Sequence, residues 1–511
     1  MTTAPSRLLV RGGRVFDPES TDEIPALADI LIEGDRVVAV TAPGRALDGV
    51  SGADDIEVID ATDRLVVPGF VNAHYHSYDV LAKGMLEDMP FDVWALHSQP
   101  AYFGKRSAAE LRMRVLLGAI ECLRNGITTV QDMNTLVPQD EETLDTILAA
   151  YEEVGIRVVF SIALRDIGAL DIAPFLPADV PPEVLSRIQG TDRDPLADLT
   201  FVERQIDRRR DLPSRIRWGL SPSGPQRSSR TLLEGVADIA NRRKLPVFTH
   251  VYETRAQTAK ARALYAAQGG SMIRWLDEVG LLTPHTTLAH CVWLKPQEMA
   301  ALAEREVSVA HNPISNMKLK SGVAPMRALR QHGVNIALGC DNSSCGDCQN
   351  MFQAMKAFCL LAAVAEPQPT GVRAADAVRA ATLGGARSVG LEGVVGALRP
   401  GMKADLMIVD LADPAYMPFN NATRQLVFSE SGRGVETSIV DGRIVMRDRK
   451  MVTVDEAALR VELEETMARF RRDFAEVARA NEQARPYLLA ANAAVARFDV
   501  GVERFLEGGG S

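Results

Sequence analysis

The chain has 511 residues, 46% of them hydrophobic, and a formal net charge of −10. That apolar content is ample for a large core, and the acidic balance argues against a nucleic-acid or anionic-membrane partner. No apolar run reaches the ~20 residues a membrane span needs, and six cysteines in this length make no disulfide framework.

Residues 1–7 lead straight into Leu8-Leu9-Val10, with no apolar signal region or cleavage site. A cytoplasmic protein with reduced thiols is expected. Residues 7–66 read as short strands with Gly-Gly and Gly-Asp turns, a hairpin-rich texture. That texture returns at 404–409 and 437–445. The expectation is one small β-sandwich domain built from residues 1–66 and 396–450.

Residues 67–395 alternate short apolar strands with amphipathic helices. The strands are expected at 67–72, 127–132, 157–163, 215–220, 247–251, 286–290, 307–311 and 335–339. Helical patterns intervene, for example at 108–123, 231–243 and 325–331. Regular β-α alternation implies a parallel sheet, and eight units imply a closed (β/α)₈ TIM-like barrel. Residues 451–511 are expected to form a helical C-terminal extension. Its stripe Leu459, Leu463, Met467, Phe470, Phe474 and Val477 should pack on the barrel or on a second subunit. Gly508-Gly509-Gly510-Ser511 reads as linker, and Arg208-Arg209-Arg210 and Arg471-Arg472 as solvated helix surface.

Barrel enzymes keep their chemistry at the C-terminal ends of the strands. His74-Tyr75-His76 ends the first. Two histidines at i and i+2 on extended chain face the same way, and paired neutral imidazoles start a transition-metal site. The fifth strand ends in His250-Val251-Tyr252-Glu253, the sixth in His290-Cys291 and the eighth in Gly339-Cys340-Asp341. One site can collect His74, His76, His250, His290, Glu253 and Asp341. His311 ends the seventh strand and is a candidate for substrate contact or for a structural hydrogen bond. His97, His285 and His332 lie elsewhere and are set aside. So is Cys345-Gly346-Asp347-Cys348, which has no second cysteine pair nearby.

These motifs carry a resemblance. Residues 68–76, 250–253, 288–292, 311–319 and 339–341 resemble the marks of the amidohydrolase superfamily, in its branch of mononuclear aminohydrolases and deaminases. That branch includes methylthioadenosine/S-adenosylhomocysteine deaminases, guanine and cytosine deaminases and the triazine hydrolases. The resemblance implies that His74, His76, His250 and Asp341 bind a divalent metal, zinc first and iron second. It implies that Glu253 shuttles protons, that His290 holds the attacking hydroxide or the developing oxyanion, and that Asp341 takes the water's proton. A catalytic zinc keeps one position for water and lowers that water's pKa to about 7.

Binuclear members of the superfamily bridge their metals with a carboxylated lysine, usually on the fourth strand. No lysine lies between Lys105 and Lys244, a gap that spans strands two to four. A lysine-bridged pair is excluded, and one metal per chain is expected.

Specificity should come from loops after the first and fourth strands. Glu87 stands where nucleoside-type members hold ribose, and Trp94 is a candidate to stack on a ring. The loop Ser221-Pro222-Ser223-Gly224-Pro225-Gln226-Arg227-Ser228 departs from the Pro-His-Ala-Pro-Tyr-Thr of adenosine-type deaminases. Ser223 replaces the base-reading histidine, and Ser223 and Gln226 are the candidates for substrate contact there. The expected reaction is hydrolysis of an exocyclic C–N bond on a purine, pyrimidine or triazine-like ring. A small-molecule substrate and a homo-oligomer are expected. The same site would also serve a cyclic amide, a thiocarbamate or a ring chloride. A non-catalytic scaffold of this fold would have lost metal ligands, and this chain keeps them.

Overall fold

Apolar runs buried on both faces form eight parallel strands, as such runs do when helices cover a sheet. The computed structural model describes residues 7–48, 56–365 and 371–505. Its barrel strands are Phe70–His76, Ile127–Asn134, Arg157–Leu164, Ile216–Trp218 with Ser221–Pro222, Val247–Val251, Thr286–His290, Ser308–His311 and Asn335–Leu338 with Asp341–Asn342. The first four pair in sequence, as do the last four. A bridge from Leu220 to Val247 joins the fourth to the fifth. Asp341 and Asn342 pair with Tyr75 and His76 and close the ring. The fold is the expected (β/α)₈ barrel.

The first strand differs from its expected bounds. Residues 67–72 divide at Gly69: Arg64–Pro68 joins the small sheet, and Phe70–His76 joins the barrel. A Cβ at residue 69 would lie 2.0 Å from Thr128 Oγ1, so only glycine lets the chain cross so close to the second strand. His74 and His76 are therefore inside the barrel strand.

The small β region draws five strands from the N-terminal side, Arg7–Val15, Leu27–Glu33, Arg36–Thr41, Ile56–Asp60 and Arg64–Pro68. Four come later, Leu406–Asp410, Val435–Val440, Arg443–Arg447 and Lys450–Met451. They form one nine-stranded sheet. Leu406–Asp410 runs antiparallel to Arg64–Pro68 along the seam between the two ends of the chain. Leu8, Ile30, Val37, Val66, Leu406 and Ile439 share one core. Near the far edge, Val37 N–H donates to the Met402 carbonyl and Ala404 N–H to that of Asp35, each at 2.9 Å. The sheet is thus folded over on itself, and the two layers expected of a sandwich are one continuous sheet.

The helical C-terminal extension comprises two helices, Glu456–Asn481 and Arg485–Ala496, with one 3₁₀ turn at Glu482–Ala484 between them. Leu459, Phe470 and Phe474 are buried against the barrel's own helices. The Phe103 ring lies 5.9 Å from that of Phe470. Asn481 Nδ2 donates to the Leu96 carbonyl, which fixes the helix Phe91–Ser98 beneath. The tail Gly508–Ser511 lies outside the described residues. Among those described, no helix is long and apolar enough to cross a membrane.

Candidate active site

His74 and His76 point into the barrel mouth, with their Nε2 atoms 3.2 Å apart. His76 Nδ1 lies 2.6 Å from the Met133 carbonyl, and His250 Nδ1 lies 2.6 Å from the Ser223 carbonyl. A carbonyl only accepts, so both Nδ1 atoms carry the proton and both Nε2 lone pairs are free. Asp341 Oδ1 lies 3.5 Å from Nε2 of both His74 and His76. Ligand atoms of His74, His76 and Asp341 all fall within 4.8 Å of one another, as do those of His74, His250 and His290.

Imidazole nitrogens grouped in this way with a carboxylate suit zinc or another divalent transition ion. Burial, then the neighbouring imidazoles, hold His74 and His250 well below the ordinary histidine pKa. Both stay neutral and able to ligate. Burial alone would raise Asp341, but His290 and His76 bring it below the usual carboxylate range.

The backbone turns sharply to present these groups. Tyr252, His290, Cys291 and Asp341 all have positive φ, at 52°, 72°, 51° and 62°. For non-glycine residues that conformation costs roughly 1–2 kcal/mol each, and such strain clusters at functional sites. Gly339 is needed for a different reason. A Cβ there would meet Asn312 Oδ1 at 2.2 Å and His74 Cβ at 2.8 Å. Behind the first strand, Ser77 donates to Asp132 through N–H at 3.1 Å and through its hydroxyl at 2.8 Å. Asp79 accepts from the N–H groups of Ser343 and Ser344, at 3.1 and 3.0 Å. It thereby anchors the turn that follows Asp341.

Glu253 is buried beside this cluster, and its backbone N–H donates to Gln257 Oε1 at 2.9 Å. Burial pushes its carboxyl up to about 7, with His290 opposing. His290 Nδ1 donates to Asn316 Oδ1 at 2.8 Å. Its Nε2 faces Glu253 Oε1 at 3.9 Å and Asp341 Oδ2 at 3.8 Å. The Glu253 carboxyl, the His290 imidazole and the Asp341 carboxylate thus face one another over the cavity in the barrel mouth.

Of the expected substrate residues, Trp94 and Ser223 line that cavity. Trp94 is fixed by its Nε1–H on Ser344 Oγ at 2.8 Å. Three expectations are not met. Glu87 is exposed, because Leu86 takes the inward place and Asp88 pairs outside with Lys320 at 2.6 Å. Gln226 is buried behind the wall, donating to Asp171 Oδ2 at 3.0 Å. His311 is buried beside Phe358, 5.7 Å between rings, and does not line the cavity. Two arginines that were not singled out do line it, Arg165 and Arg227, together with Tyr78 and Phe91. Arg165 directly follows the third apolar strand, a strand-end polar signal of the kind used for the other ligands.

Residues 65–445 match the Amidohydrolase family. The chain is 36% identical over 451 residues to a 5'-deoxyadenosine deaminase of Methanothermobacter thermautotrophicus, covering 88% of this chain and 95% of that protein. It is 33% identical over 444 residues to a 5-methylthioadenosine/S-adenosylhomocysteine deaminase of Thermococcus onnurineus, covering 87% and 95%. A solved adenosine deaminase from Xanthomonas campestris with bound zinc superposes with a TM-score of 0.77 at 27% identity, over 91% of this chain and 98% of that one. An atrazine chlorohydrolase from Arthrobacter aurescens complexed with zinc gives 0.78 over 90% and 100%. At 22% identity, that likeness shows the fold alone.

Proposed function

The chain belongs to the amidohydrolase family, and from that membership we propose a metal-dependent hydrolytic deaminase that cleaves an exocyclic C–N bond of a nitrogen heterocycle. One observation carries the reading: ring nitrogens of His74, His76, His250 and His290 gather beside two buried carboxyls, Asp341 and Glu253, at the barrel mouth. The deaminase names of the relatives and the zinc of the Xanthomonas enzyme support it.

In this reading His74, His76, His250 and Asp341 hold one divalent ion per chain, zinc before iron. The lysine-free stretch 106–243 supports a single ion. When bound, the ion supplies the Lewis acidity that makes water nucleophilic at neutral pH. His290, oriented by Asn316, steadies the attacking oxygen. Asp341 takes the proton that the oxygen loses. Glu253 gives a proton to the ring nitrogen next to the attacked carbon, so the electron pair displaced from the C=N bond has a place to go. Asp341 then passes its proton to the amino group, which leaves as ammonia, and the hydroxyl proton returns to Glu253 as the ring keeps the oxygen as a carbonyl. Trp94 and Phe91 offer flat surface to the ring. The proposal includes a cytoplasmic, homo-oligomeric enzyme, and light scattering on the eluted protein checks the assembly.

The test is a screen of purine, pyrimidine, pterin, triazine and thiocarbamate compounds, with products identified by mass and ammonia assayed separately. Ammonia release with a mass gain of one unit from at least one amino-heterocycle is the expected result. Turnover confined to ring chlorides or thiocarbamates would overturn it.

A further inference from the structure

The reaction as described leaves two cations in the cavity wall without a task. Arg227 lies on the loop after the fourth strand. Its Nε and Nη2 donate to Asp171 Oδ2 at 3.0 and 2.6 Å, and its guanidinium carbon lies 5.5 Å from the Phe91 ring centre. Nη1 has only a long contact of 3.5 Å to Ser223 Oγ. Arg165 follows the third strand and lines the same cavity. Among the described residues, no hydrogen bond or ion pair reaches its side chain. The carboxylate next to it in sequence, Asp166, accepts instead from Ser229 N–H at 2.8 Å.

Charge does not balance on this wall. Asp171 also takes Lys260 Nζ, at 3.3 Å, so one buried carboxylate serves two cations before Arg165 is counted. Two other acids lie near, Asp92 and Glu253, and burial pushes each up to about 7. Burial and then Arg227 hold Arg165 below the ordinary arginine range. Partly desolvated cations normally have partners. Here the protein does not provide one.

The position of the excess charge bears on what neutralises it. Ser223 touches both parts of the site: its carbonyl accepts the His250 Nδ1–H at 2.6 Å, and its hydroxyl faces Arg227. A single residue separates the metal-binding imidazole from the guanidinium. The third and fourth strand ends also stand across the mouth from the seventh and eighth, which carry Asp341. A group held by Arg227 therefore sits one residue's width, that of Ser223, from the His250 imidazole.

We propose that the substrate is an amino-heterocycle bearing a carboxylate or equivalent anion on the ring itself, opposite the amino group, and that Arg165 and Arg227 bind it. This rests on the deaminase reading and narrows it. Asp171 is a positioning residue that fixes the guanidinium of Arg227, and Arg165 is the free fork. Planar guanidinium pairs suit a carboxylate, which can accept two parallel hydrogen bonds from each.

The test uses the zinc-loaded full chain and two probes with one ring, 6-aminonicotinate and 6-aminonicotinamide. Their amine and their acid or amide lie on opposite sides of a pyridine. Calorimetry should show the carboxylate binding at least about tenfold tighter, as charge-assisted bonds do. Arg165→Gln should abolish that preference, and Arg165→Lys should keep part of it. Arg165→Gln should melt no lower than wild type, because it removes an unpartnered cation. Equal affinity of the two probes, or an unchanged preference in Arg165→Gln, overturns the proposal. So does a charge preference seen only for S-adenosylhomocysteine over methylthioadenosine, which would put the anion on a flexible tail. Ammonia release is followed separately. Selective binding without it counts against the deaminase reading and leaves only the anion site at Arg165 and Arg227 standing.

Discussion

Arg157 on the third barrel strand meets Asp405 of the small β region in a two-pronged contact, Nε to Oδ2 at 2.7 Å and Nη2 to Oδ1 at 2.9 Å. Both side chains are 1% exposed. Removing Asp405 leaves the buried Arg157 with Asp441 as its one remaining carboxylate, so Asp405→Ala should destabilise the protein by about 1–3 kcal/mol. The double variant Arg157→Met with Asp405→Leu should recover most of that loss. Denaturant unfolding of these two variants and of Arg157→Met alone checks the prediction, and a double variant that loses the sum of the single losses would contradict it.

The same seam predicts an acid response. Asp441 accepts from Arg157 Nη2 at 2.8 Å and lies 3.0 Å from Lys403 Nζ. Burial alone would raise its carboxyl, but Arg157 and Lys403 lower it to about 2. Unfolded, it would titrate near 3.9. Its contribution is thus fully present above about pH 4 and lost as pH falls through about 2. The stability gap between wild type and Asp441→Asn should be widest above pH 4 and narrow toward pH 2. A gap that grows on acidification would refute the assignment.

Protein purified without added metal should carry about one ion per chain by elemental analysis. His250→Ala should lose metal and activity together. Two tightly held ions per chain would contradict the single-metal reading.

Glu253→Gln keeps the size of the side chain and removes its proton exchange. It should retain metal while turnover falls by about 10²–10⁴-fold. Full activity in this variant would remove Glu253 from the mechanism.

Gly339→Ala places a methyl group 2.8 Å from His74 Cβ. His74 must shift, and zinc affinity should fall by about 10–100-fold, the range seen when ligand support is lost. A competitive zinc titration reads it directly, and an unchanged constant would show that His74 is not so confined.

The barrel and the collected ligands were legible because both rest on local pattern. Eight apolar runs separated by helical periodicity can close in few ways, and a histidine or carboxylate at a strand end stands out against its apolar neighbours. The division at Gly69 was not legible. Residues 67–72 read as one strand, and the close approach of Thr128 to Gly69, which only the fold brings about, has no local signal. Glu87 failed similarly: which side of an irregular loop faces inward is decided by Leu86 and by the Asp88–Lys320 pair, neither of which has a period to read. Arg165 and Arg227 looked like ordinary charged residues until Asp171 and the cavity gave them a setting.

The seam between Arg64–Pro68 and Leu406–Asp410 also has a consequence for biosynthesis. The earlier strand leaves the ribosome with the whole barrel still to be made before its antiparallel partner exists. At ~5–20 residues per second, the wait is on the order of tens of seconds. During that time Arg64–Pro68 shows one unpaired edge, the kind that invites contact between nascent chains on one message. Chains truncated before residue 406 should therefore aggregate, even though their barrel sequence is complete.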